Sequence, residues 1–166
     1  MQATEGNRVL AETAKQRAPV PRRSRIGVKQ IELAEQHLRE ADSVADVLAV
    51  AWEIFDLVGA LAAACAEQAA DMYPAFMFAR GAAVNGRNAV ALAPSITAVC
   101  AVSFGNPELS TIEVDDVADM LAALASALGT GLRAAARRAA ANGDRIACES
   151  AARDADRISE LLARRT

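Results

Sequence analysis

Ser43 to Arg80 reads SVADVLAVAWEIFDLVGALAAACAEQAADMYPAFMFAR. Val47, Ala51, Ile54, Val58, Leu61, Cys65 and Met72 recur there at the spacing of one helix face, and Val44, Leu48 and Phe55 widen the stripe. Apart from Phe104, the same stretch holds every aromatic residue of the chain: Trp52, Phe55, Tyr73, Phe76 and Phe78. Aromatic side chains carry the largest apolar area per residue, so the core forms against this segment and the rest of the chain clads it. The fold class is all-α, a helical bundle of four or five mostly antiparallel helices.

Local chemistry sets the ends of the central helix. Asp46 stands three residues after Ser43 in capping-box position, where its carboxylate also meets the positive end of the helix dipole. One unbroken helix from the preceding segment is the alternative, because Leu38, Ala41, Ala45, Leu48 and Trp52 continue in phase; the cap at Ser43 favours a break. Asp46, Glu53 and Glu67 line the opposite face, with Asp56 and Asp71 one turn from their neighbours, and read as a solvated acidic surface. Pro74 lacks an amide donor and crowds the turn before it, so the helix kinks or restarts within Met72–Phe78. Two methionines and three aromatics around such a site form either the packed end of a bundle or a soft apolar pocket.

Upstream, residues 1–24 show no apolar period, contain Pro19 and Pro21, and read as a mobile basic arm. Through residue 31 the N-terminal region has seven basic side chains against Glu5 and Glu12. Arg22, Arg23 and Arg25 are its candidate contacts to phosphates or to an acidic protein surface. No aromatic residue lies among them to stack on bases. Residues 25–166 read as a single bundle domain, opened by a helix of about Arg25 to Ala41 with Ile31, Ala34, Leu38 and Ala41 inward. His37 lies beside that stripe as a boundary residue.

Downstream, Arg80-Gly81 and Asn85-Gly86-Arg87-Asn88 supply turn chemistry that ends the aromatic element. The next segment reads as a buried helix interrupted at Pro94, with Leu92, Ile96 and Val99 in phase. Leu109, Ser110, Glu113 and Val114 then form a capping box with its hydrophobic staple. Val117, Leu121, Leu124, Leu128 and Leu132 make the buried stripe of the helix that follows. Its acids gather at the start and Arg133, Arg137 and Arg138 at the end, as the helix dipole favours. Gly129 and Gly131 weaken that helix unless another comes close to them. Asn142-Gly143 offers a stop, Asp144 a new cap, and Ala147, Ala151, Ala155, Ile158 and Leu162 the inner face of the last helix.

Composition narrows the function classes. A chain of 166 residues fits one domain, and 53% of it is apolar, much of that alanine. Cys65, Cys100 and Cys148 are odd in number and far apart, which suits buried thiols rather than a disulfide framework. Charged residues break up the N-terminus, so no signal-peptide core is present and a cytoplasmic protein is expected. The longest uncharged run, Asn88–Pro107, holds too many polar residues for a membrane span, so no membrane partner is expected.

No nucleophile with its base, no metal-ligand set and no cofactor cradle can be assembled from the chain. Di-metal bundles use Glu-x-x-His motifs, but the single histidine here, His37, has Ala34 three residues before it. The expectation is therefore a non-catalytic helical interaction module, an adaptor or regulatory accessory protein, without cofactor or metal. A homodimer is expected, on the ground that two helices of about thirty residues would extend about 45 Å and overhang the bundle. Met72, Tyr73, Phe76, Met77 and Phe78, with Trp52 and Phe55, are the candidate contact residues. Two alternatives stand beside this reading. One is a bundle that binds a small apolar ligand among Trp52, Phe55, Tyr73 and Phe76, and the other a nucleic-acid accessory protein using the basic arm.

Overall fold

The chain breaks where Ser43 predicts. Ser43 Oγ accepts from the Asp46 N–H at 3.0 Å and the Asp46 carboxylate accepts from the Ser43 N–H at 3.1 Å, which completes the capping box. The Ser43 Oγ–H, first, and then the Ser43 N–H donate to the Asp46 carboxylate and hold it below the usual aspartate range. The structure, a computed structural model, describes residues 26–96 and 114–164. Five helices lie in these residues: α1 (Ile26–Glu40), α2 (Val44–Gln68), α3 (Tyr73–Ala91), α4 (Val114–Arg138) and α5 (Asn142–Ala163). No strand occurs among the described residues.

The chain restarts at Pro74. α2 closes with the Ala69 N–H on the Cys65 carbonyl, and Pro74 sits in the first turn of α3. The amide missing from proline would have had no helical partner at that position.

α2 and α3 run antiparallel, as Phe55 against Gly86 and, one turn on, Gly59 against Ala83 show. α3 and α5 are antiparallel too, with Ser95, just past α3, bonded to Asp144 near the start of α5. Arg133 on α4 meets Asp156 on α5, and Arg138 donates to the Asp42 carbonyl beside the start of α2. Four helices thus surround the core, and α1 lies against α2 and α4. α3 and α4 point the same way, so Ile96 and Val114 lie at opposite ends of the bundle.

The predicted stripes are the buried ones. Ile54, Val58, Leu61, Leu121, Leu124 and Leu128 are all core, as are Ala147, Ala151, Ala155, Ile158 and Leu162 of α5. The glycines of α4 mark close approaches on two sides. A Cβ on Gly129 would lie 2.7 Å from Asp156 Oδ1, and one on Gly131 would lie 3.4 Å from Leu38 Cδ1. α2 and α4 are long and apolar enough to cross a membrane by length and composition, but half of each apolar window is buried inside the bundle. A core helix of a bundle has the same character.

Four expectations are corrected. Arg80–Asn88 is no turn, because α3 continues through Gly81 and Gly86 to Ala91. Gly86 is there for space: a Cβ would overlap the Phe55 ring. Leu92 is not on a buried stripe but 82% exposed at the end of α3. The helix stops shortly before Pro94, which disfavours helical geometry in the residue ahead of it. Asp144 is not the cap of α5, a position held by Ala141; it is buried and bonded to Ser95. Finally, α2 and α4 have 25 residues each and α5 has 22. At 1.5 Å per residue α2 and α4 each extend about 37 Å, so the argument from overhanging helices of thirty residues falls. The Leu109, Ser110 and Glu113 signals lie outside the described residues.

Candidate functional site

The aromatic cluster predicted from sequence divides between core and surface. Phe55 and Phe76 are buried, at 1% and 0% exposure. Trp52, Met72 and Met77 are half-buried, and Tyr73 and Phe78 are exposed. Trp52 lies near the start of α2 and Tyr73 beyond its end, separated by about 24 Å of helix. A small-molecule pocket cannot have both on its wall together with Phe55 and Phe76. Phe76 faces inward and so cannot join Phe78 on a contact surface. Arg22, Arg23 and Arg25 of the basic arm lie outside the described residues.

α3 has no carboxylate along its length and only Arg80 and Arg87 as charges. Its inward residues are Phe76, Ala79, Ala83, Gly86 and Val90. The outward side presents Tyr73, Phe78 and Val84, and Leu92 follows at the C-cap. The large apolar side chains exposed elsewhere among the described residues are Leu33 on α1 and Ile146 on α5. Surface helices ordinarily turn a charged face to water; this one sets its exposed large apolar side chains among Gly81, Asn85 and Asn88, with Arg80 as its exposed charge.

Between α2 and α3 lies an open groove of about 320 Å³, with Phe55, Asp56, Gly59, Ala60 and Ala63 on one side and Arg80, Ala83, Val84 and Arg87 on the other. Arg87 Nη1 donates to Asp56 Oδ1 at 2.7 Å, and its guanidinium carbon stands 5.7 Å from the centroid of the Trp52 ring. The acidic face of α2 is therefore not wholly solvated: Asp56 is paired across the groove, and Glu53 lies 3.6 Å from His37 Nδ1 on α1. Sequence reasoning missed the Asp56–Arg87 pair because it placed residues 85–88 in a turn. Its one available signal was the seven-residue spacing of Arg80 and Arg87, which sets both on one side of a helix.

Two further hollows sit at the ends of the bundle. At one end Met72 joins Gln68, Ala69, Ala70, Asp71, Val114 and Asp115 around about 440 Å³. At the other, Ala89, Leu92, Gly143, Ile146, Ala147 and Ser150 line about 230 Å³. There the Ser95 N–H and Oγ–H donate to Asp144 at 2.9 and 2.5 Å. Cys148 follows Asp144 by one turn; burial first, then the nearby Asp144 and Glu149 charges, push its thiol up to about 11. A thiol so held is protonated at neutral pH and is a poor nucleophile. No group of three or more metal-ligating side chains gathers among the described residues.

No family model matches the chain, and no curated protein or solved structure shows significant similarity to it.

Proposed function

We propose that the chain is a non-catalytic helical interaction module, an adaptor or regulatory accessory protein, which pairs with a second copy of itself through the outer face of α3. The observation that supports this reading is the composition of that face, with Tyr73, Phe78, Val84 and Leu92 exposed on a helix that has no carboxylate. Large apolar side chains left exposed on one helix gain by burial, and aromatic residues are enriched at interface cores. A two-fold pair brings the same patch of each copy together. Cys65 and Cys148, both buried thiols, fit a reducing, cytoplasmic setting.

Light scattering at micromolar concentration tests the pairing. The wild type should show twice the chain mass, and Phe78→Asp should show one chain mass with its helical circular dichroism intact. Leu33→Asp, an equally exposed change on α1, should leave the dimer unaltered. A monomeric wild type at that concentration would contradict the reading.

A further inference from the structure

We propose that α1 is a detachable strap, which lifts from the bundle as a unit while the other four helices stay folded. α2 packs on α3 and α4, and α5 packs on α3 and α4, so those four close the core among themselves. α1 is added to them through α2 and α4.

Its hold on the core is small. Among the described residues the one fully buried large side chain of α1 is Ile31, whereas α2 buries Leu48, Ile54, Phe55, Leu57 and Leu61. Ala34 and Leu38 are only partly covered. The free energy that holds an element in place follows the apolar area it buries, so a helix with one such anchor opens at a lower cost than the whole fold.

Polar contacts do not make up the difference. The bond of Gln36 to Glu40 and the pair of Arg39 with Glu35 join α1 to itself. Among the described residues its polar contact with the rest is His37 Nδ1 to Glu53, at 3.6 Å with both side chains partly exposed, where water screens the charges. Gln30 Oε1 is buried without a hydrogen-bond partner, a cost that opening removes.

The hinge is built into the connection. Ala41 and Asp42 are not helical, and the capping box of Ser43 with Asp46 closes the start of α2 through bonds that use no residue of α1. α2 therefore keeps its cap when α1 leaves. Release uncovers α4 around Gly131, beside which Leu38 lies, and leaves the four-helix core intact.

Hydrogen exchange of the full chain, read by mass spectrometry and corrected for intrinsic rates, tests the strap. Peptides of α1 should exchange at least about a hundredfold faster than those of α4. The fast exchange should extend to the residues next to Glu40, because fraying from Ile26 would leave those slow. Ile158→Val, a buried change on α5, should speed exchange in α4 and α5 about fivefold and leave α1 unchanged, since the state with α1 open keeps the core that this change weakens. Equal protection of α1 and α4, fast exchange confined to the start of α1, or acceleration of α1 and α4 alike by Ile158→Val would overturn the proposal.

Discussion

Asp154 illustrates how a single side chain can work against the fold. It is partly buried on α5, and burial raises its carboxyl above the ordinary 3.8 despite the opposing charges of Arg153 and Arg157. A carboxyl whose folded-state pKa lies above its unfolded value weakens the fold wherever it is ionised. That cost is full above the folded pKa and fades as pH falls through it to 3.8 and below. Asp154→Asn should therefore raise the melting temperature at neutral pH, and the gain should vanish in melts near pH 3. Cys148 and Cys65 give a second prediction at this scale. Both are buried, and burial keeps Cys148 protonated. Iodoacetamide at pH 8 should leave both unmodified in the native protein and alkylate both in denaturant, as read by peptide mass mapping.

α3 separates two uses of glycine within one helix. Gly81 has open space beyond its Cα, whereas a Cβ on Gly86 would overlap the Phe55 ring. Gly81→Ala should stabilise the protein by about 1 kcal/mol through helix propensity alone. Gly86→Ala should destabilise it by about 1–3 kcal/mol through overpacking, and Phe55→Leu in the same chain should recover part of the loss. Urea denaturation of the three variants checks both signs.

The same helix shows what could be read before the structure was known. The Ser43–Asp46 cap and the stripe of α2 were legible because each depends on residues within a few positions of one another. Asn85-Gly86 reads as a turn for the same local reason, and it misleads. The glycine there makes room for a ring thirty-one residues earlier in the chain, which no local pattern records. Asp144 was misplaced likewise: its proximity to a helix start suggested a cap, while its partner, Ser95, is forty-nine residues away.

At the scale of the whole molecule, the core is one cluster shared by all five helices. Leu128 is in its midst, so Leu128→Ala should cost about 2–5 kcal/mol in chemical denaturation, and Leu128→Arg should abolish the cooperative transition. The six core residues foreseen from helical spacing, four leucines with Ile54 and Val58, were legible because each stripe repeats along its own helix. The outer face of α3 was only partly so. Tyr73 and Phe78 were foreseen as contact residues, but the continuation to Val84 and Leu92 depended on recognising one helix where the turn residues suggested two.

The central claim, pairing through α3, is tested most directly by a distance between protomers. A nitroxide on Asn88→Cys, at an exposed position of α3, should give a single short distance by pulsed electron resonance, since helices in contact have axes about 8–10 Å apart. The same label on Glu32→Cys, exposed on α1, should give a longer one. No distance between protomers from the α3 label, or a shorter one from α1 than from α3, would contradict the account.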